Sequence, residues 1–172
     1  MPTNYLWQEA ASFAARAHQH QFRKDGVTPY FAHPVRVAMT IAQVFGFDDE
    51  KVLAAALLHD TIEDTGADYD EILEQFGREV ADYVAVMTKD MRLEESKREK
   101  AYFAQLAMGP WQGRLIKLAD TYDNLHNAQH PATRKKQLGK VKHALAITAR
   151  DARLAKARQA LQELARKMAK RV

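Results

Sequence analysis

Residues 52–64 read VLAAALLHDTIED, and this stretch decides the fold because an apolar run leads directly into a histidine and three carboxylates. Asp48 or Asp49 can cap a helix that runs through the apolar residues into His59 and Asp60. A helix that is apolar on nearly every side lies in the centre of a domain. A buried carboxylate such as Asp60 is costly unless it is paired or binds a cation. The stretch therefore predicts a central helix whose end can bind a metal ion.

Helical periodicity continues on both sides of this stretch, and alternating strand patterns are hard to find. Pro34 suits a first helical position and Gly46 suits a stop, which places His33 at the start of a helix over 34–45. Further helices are predicted over 68–76, 78–88, 96–107, 111–130 and from about 134 onward. The sequence therefore predicts an all-α fold, a single helical bundle with a long basic C-terminal helix or helix pair.

The composition excludes several classes of function. The chain of 172 residues contains no cysteine, which excludes thiol nucleophiles, disulfide frameworks and thiolate zinc sites. Without cysteine the chain gains nothing from an oxidising compartment, so we expect a cytoplasmic protein. The longest apolar run, 52–58, is far shorter than the roughly twenty residues of a membrane span. We therefore expect no membrane partner.

Charge is distributed unevenly along the chain. Residues 1–133 hold 13 Lys and Arg against 20 Asp and Glu, a net charge of −7, whereas residues 134–172 hold 13 against 2, a net charge of +11. We predict a domain over 1–133 that carries the functional site and a basic helical segment over 134–172 that packs on it. The segment can attract a polyanionic substrate, dock on the acidic part or bind nucleic acid. Nucleic-acid binding ranks last, because every candidate site residue precedes residue 128.

Side chains suited to metal chemistry gather in short segments around 23–33, 59–64, 117–120 and 124–127. The candidate ligands are His33, His59, Asp60 and Asp120. Their two nitrogens and two carboxylates suit an ion of the manganese or iron type with open positions for water and substrate. Taken singly, each segment has a simpler interpretation. A His-Asp pair can be a capped helix end, Asp120 can pair with Lys117, and Arg23 can be a solvated charge.

Taken together, the segments resemble the HD-domain metal-dependent phosphohydrolases, and within them the hydrolase domain of the RelA/SpoT family, in particular the small alarmone hydrolases. The resemblance runs from about Ala10 to Asn127. Its motifs are FRKDG at 22–26, TPYFAHP at 28–34, AALLHDTIEDT at 55–65 and KLAD at 117–120. Motifs of this length in this order are far more specific than a lone His-Asp pair.

The resemblance implies a reaction and a set of site residues. The reaction is removal of the 3′-pyrophosphate from ppGpp or pppGpp, or from the adenine analogue, giving GDP or GTP (or ADP or ATP) and pyrophosphate. One Mn²⁺ per chain would be bound by the four candidate ligands, and Glu63 and Asp64 would orient and activate the attacking water. The implied substrate-binding residues are Arg23, Lys24, Tyr30, Asn124 and Asn127.

Several positions depart from the family pattern. Asp123 stands where an apolar, aromatic or His side chain is typical, His126 and Asn127 stand where Arg and then Asp or Thr are common, and Lys89 replaces a more usual acidic residue. The choice between guanine and adenine alarmones therefore stays open, as does a homo-oligomeric state. The alternatives are an HD-domain phosphohydrolase acting on another nucleotide, and a module that senses nucleotides or binds nucleic acid.

Overall fold

The computed structural model describes residues 5–170, which fold into ten α-helices, with a long loop, 18–31, between the first two. The helices are α1 (Leu6–Ala17), α2 (Ala32–Met39), α3 (Glu50–Leu58), α4 (Thr61–Asp64), α5 (Tyr69–Phe76), α6 (Arg78–Met87), α7 (Glu95–Met108), α8 (Trp111–His126), α9 (Pro131–Thr148) and α10 (Ala155–Ala169). The predicted all-α fold is confirmed, and its C-terminal part is a helix pair, α9 and α10.

Helix α3 lies in the centre of the bundle, as its apolar sequence predicts. The Asp49 side chain caps its start by accepting a hydrogen bond from the Val52 N–H at 2.9 Å. Its residues from Ala54 to Leu58 are buried, and it packs against α1, α2, α6 and α8. A central, rigid helix of this kind holds the residues that follow it in a fixed position.

The end of α3 differs from the prediction. The helix was expected to continue into Asp60, but it ends at Leu58, and the short helix α4 begins at Thr61. His59 Nδ1 bonds to the Ala56 carbonyl at 2.8 Å, and the Thr61 hydroxyl donates to the Leu58 carbonyl at 2.7 Å. These side chains satisfy carbonyls that a continuing helix would have bonded through its backbone.

Helix α2 begins earlier than predicted, at Ala32, so His33 lies inside its first turn. The helix continues as a π-helical segment, Thr40–Phe45, and stops at Gly46, whose φ of +78° places it in the left-handed region. Helix α8 was expected to reach residue 130 but ends at His126. His130 precedes Pro131, and that position disfavours helical backbone.

The helix pair α9 and α10 packs against α8 and against itself. Its apolar side chains, including Val141, Ala144, Leu161 and Leu164, belong to the same buried core as those of α3 and α8. The division of the chain at residue 133 into two regions stays a prediction. Within residues 5–170, no helix combines the length and the apolar character needed to cross a membrane.

Gly113 lets α8 approach α6 closely. A Cβ added there would lie 2.3 Å from Cγ1 of Val86, a stiff β-branched side chain. We expect Gly113→Ala to lower the free energy of unfolding by about 1–3 kcal/mol. Gly139→Ala is the matched control, because nothing lies within 4 Å of the added methyl group in α9. It should raise the free energy of unfolding by about 0.5–1 kcal/mol. Urea denaturation measures both values, and an equal gain in the two variants would contradict the close approach.

Candidate active site

The four candidate ligands lie together where α2, α8 and the end of α3 meet. His33 Nε2 is 3.3 Å from Asp120 Oδ1 and 3.6 Å from Asp60 Oδ2, and His59 Nε2 is 3.1 Å from the same Asp60 oxygen. Potential ligand atoms of His33, His59 and Asp60 all lie within 4.8 Å of one another. His33, His59 and Asp60 therefore form one group of potential ligands, and Asp120 adjoins this group through its contact with His33.

The hydrogen bonding of the two histidines suits a metal ion. Each turns its Nε2 toward Asp60, while its Nδ1 bonds outward, to Asp123 Oδ2 at 2.6 Å for His33 and to the Ala56 carbonyl at 2.8 Å for His59. Within residues 5–170, His59 Nε2 is buried without a well-aligned hydrogen bond, despite its nearness to Asp60. A buried polar atom without such a bond is costly. His33, His59 and Asp60 could therefore hold a divalent ion that completes the bonding of this nitrogen.

The cluster is held together by charge. Burial raises the pKa of Asp60, but the charges of His59 and His33 outweigh this effect and hold that pKa below its usual range. Burial also raises the pKa of Asp120, but Lys117, 2.9 Å away, and His33 lower it well below the usual range. Burial lowers the pKa of His33, but hydrogen bonds, first of all with Asp120, raise it to about 9. Nearby positive charge therefore favours the ionised form of both carboxylates, and a bound metal ion would supply such charge.

Helix α4, which begins directly after Asp60, carries two further carboxylates, Glu63 and Asp64. The Tyr30 hydroxyl donates to Asp60 Oδ2 at 2.6 Å and also lies 3.2 Å from Asp64 Oδ2. Burial and the charge of Asp60 raise the pKa of Asp64. Glu63 turns to the other side, where its Oε2 accepts the Lys89 backbone N–H at 2.9 Å and its Oε1 lies 3.4 Å from Lys89 Nζ. Lys89 thus fixes the Glu63 carboxylate, whereas Asp64 is linked to the cluster through Tyr30.

The structure brings three of the five expected substrate-binding residues next to the cluster. The Arg23 guanidinium lies 5.5 Å from the centre of the Tyr30 ring, and its Nη2 is 3.4 Å from Asn124 Oδ1. Asn124 also donates to Asp120. Lys24 is exposed on the same loop as Arg23. Asn127 donates to the carbonyl and to Oδ1 of Asp123, at 2.8 and 2.9 Å.

Several residues that contact the site, among them Arg36, Asp123 and Lys89, had no role predicted from the sequence. Arg36 donates to both carboxylate oxygens of Asp123, at 2.7 and 3.2 Å. Lys89 and Lys117 each lie about 5 Å from the centre of the buried Tyr102 ring, at 5.0 and 5.1 Å. Two signals were available: Arg36 follows His33 by one helical turn, and Asp123 and Lys89 depart from the family pattern. The partners of these residues could not be predicted, because they depend on how helices that are distant in the sequence cross one another.

Comparison with known proteins identifies the family of this chain. A family described as "HD domain" matches residues 10–158. The chain belongs to the HD domain family.

Relatives of known function match about two thirds of this chain. It is similar to guanosine-3′,5′-bis(diphosphate) 3′-pyrophosphohydrolase MESH1 of Xenopus tropicalis, with 41% identity over 120 residues, 69% of this chain and 67% of the relative. The Homo sapiens protein of the same name is 42% identical over the same shares of each chain. A solved structure described as a metazoan ortholog of SpoT that hydrolyzes ppGpp superposes with a TM-score of 0.85, at 30% identity and 97% coverage of both chains.

Proposed function

We propose that this chain is a metal-dependent hydrolase that removes the 3′-pyrophosphate from ppGpp or pppGpp. The products are GDP or GTP and pyrophosphate. The observation that carries the proposal is the convergence of His33, His59, Asp60 and Asp120 beside the carboxylates of α4. It is supported by the names of the MESH1 relatives, which describe this reaction in those proteins. The absence of cysteine favours a cytoplasmic location.

The proposed ligands are His33, His59, Asp60 and Asp120, and the proposed ion is one Mn²⁺ per chain. Mixed nitrogen and carboxylate ligands suit this ion, and the buried Nε2 of His59 supports a ligand role. When bound, such an ion polarises a phosphate oxygen and lowers the pKa of a bound water. The Lys117 ammonium group donates a hydrogen bond to Asp120 Oδ2 and so holds this carboxylate in place.

Glu63 and Asp64 orient and activate the attacking water in this proposal. Glu63 takes a proton from the water as its oxygen attacks the phosphorus attached to the ribose 3′ oxygen. The bond between this phosphorus and the ribose 3′ oxygen breaks, and the 3′ oxygen takes up a proton from solvent. The former water oxygen stays on the released pyrophosphate, and Glu63 returns its proton to solvent. Lys89 holds Glu63 in place through its backbone N–H and its ammonium group, and Tyr30 ties Asp64 to Asp60.

The nucleotide is bound by Arg23, Lys24, Tyr30, Asn124 and Asn127. Arg23 can stack on the base, because a planar guanidinium packs well on an aromatic face, and Lys24 can meet phosphate as a point charge. Both side chains bring positive charge to a region rich in carboxylates. This charge is needed because the substrate is a polyanion.

The test is an assay of the Mn²⁺-reconstituted chain with ppGpp and with ppApp, following pyrophosphate release. We expect turnover of at least one alarmone, and loss of turnover when the metal is removed by a chelator. The ratio of the two rates gives the base preference that the departures at 123–127 leave open. A 5′-monophosphate nucleotide is the control substrate. Release of phosphate from it, without turnover of either alarmone, would favour an HD-domain phosphohydrolase of another specificity.

A further inference from the structure

Asp123 lies behind His33, on the side of the imidazole ring that faces away from the ligand cluster. Its Oδ2 is 2.6 Å from His33 Nδ1, while His33 Nε2 faces Asp120 and Asp60 at 3.3 and 3.6 Å. Asp123 is 3% exposed and His33 is 1% exposed. The Nδ1 atom of His33 therefore bonds to Asp123, and its Nε2 atom faces the ligand cluster.

Asp123 is itself fixed by two other side chains. Arg36 donates from Nε to Oδ1 at 2.7 Å and from Nη2 to Oδ2 at 3.2 Å, and Asn127 donates to Oδ1 at 2.9 Å. Arg36 and His33 lie one turn apart on α2, whereas Asp123 lies in the last turn of α8 and Asn127 directly follows that helix. The carboxylate thus joins the two helices and has little freedom to rotate.

The two histidines differ in the group that bonds to their Nδ1 atoms. His59 bonds through Nδ1 to a neutral backbone carbonyl, that of Ala56, whereas His33 bonds to a carboxylate. A carboxylate behind a ligating imidazole fixes its tautomer and orientation and increases its basicity as a ligand. Of these two histidines, His33 is therefore the one whose ligand strength depends on another side chain.

We propose that Asp123, held by Arg36 and Asn127, is a positioning residue that presents His33 Nε2 to the divalent ion and strengthens metal binding. The proposal rests on the metal site of the proposed function and deepens it. It assigns a role to a residue that stands where the family pattern has an apolar, aromatic or His side chain.

The test is Mn²⁺ titration of the full chain by isothermal calorimetry, comparing Asp123→Asn with the wild type. We expect the variant to bind Mn²⁺ about 10–100-fold more weakly. Asp151→Asn is the matched control, because the Asp151 carboxylate is also held by arginine side chains, Arg114 at 3.3 Å and Arg153 at 2.9 Å, but lies in the turn between α9 and α10. This control should lower the melting temperature and leave the Mn²⁺ affinity unchanged.

A second variant keeps the test decisive if Asp123→Asn does not fold. Arg36→Met retains the carboxylate but removes both guanidinium donors, and the Arg36 side chain is 37% exposed, so folding is expected. We expect its Mn²⁺ affinity to fall several-fold, and the His33 Nδ1–H resonance to shift in ¹⁵N-edited NMR spectra. Wild-type affinity in the folded variants would overturn the role of Asp123 and leave the proposed function standing. A wild-type chain that binds no Mn²⁺ would overturn both.

Discussion

Asp60→Ala is expected to abolish both metal binding and hydrolysis. Asp60 Oδ2 is the atom around which the cluster is arranged, because it lies 3.1 Å from His59 Nε2, 3.6 Å from His33 Nε2 and 2.6 Å from the Tyr30 hydroxyl. Loss of a ligand should weaken Mn²⁺ binding by more than the roughly 100-fold upper range for an outer partner. Calorimetric Mn²⁺ titration and an assay of pyrophosphate release measure the two effects.

Asp82→Ala is the matched control for this variant. Asp82 is also a carboxylate that accepts a hydrogen bond from a tyrosine hydroxyl, that of Tyr69 at 2.7 Å, but it lies on the exposed side of α6. The control should retain both Mn²⁺ binding and turnover. Circular dichroism shows whether the Asp60 variant is folded. A folded Asp60→Ala chain with wild-type Mn²⁺ affinity would remove Asp60 from the ligand set.

The parts of the fold that could be predicted from the sequence are those set by local chemistry. The start of α3 follows from the Asp49 cap, and the burial of α3 follows from its apolar run. The stop of the π-helical segment that continues α2 follows from Gly46, which adopts a positive φ at little cost. Each of these features depends on residues within a few positions of one another, so that one stretch of sequence is enough to predict it.

The features that escaped prediction depend on side-chain competition or on distant contacts. The break between Leu58 and Thr61 arises because side chains of His59 and Thr61 take up carbonyls at the end of α3. The bond between His33 and Asp123 requires α2 and α8 to meet at one register, which periodicity does not reveal. The segments of the site were thus predictable, whereas the partners of Glu63 and His33 were not.

Glu63→Gln is expected to lower turnover by about 10²–10⁴-fold while Mn²⁺ binding is largely retained, because general-base catalysis contributes an effect of this size. Glu63 contacts Lys89 rather than the four proposed ligands, and its side chain is 16% exposed, so the amide can occupy its place. Glu79→Gln is the matched control, since Glu79 also pairs with a lysine, Lys51, but on the exposed surface. The control should have wild-type turnover.

Two outcomes would contradict the proposed role of Glu63. Retained turnover in Glu63→Gln would show that Glu63 is not the base, whereas loss of Mn²⁺ binding together with turnover would identify Glu63 as a ligand. A variant that loses turnover but still binds Mn²⁺ would show that Glu63 activates the water and does not bind the metal. This is the result we expect, because Glu63 contacts Lys89 and none of the four proposed ligands.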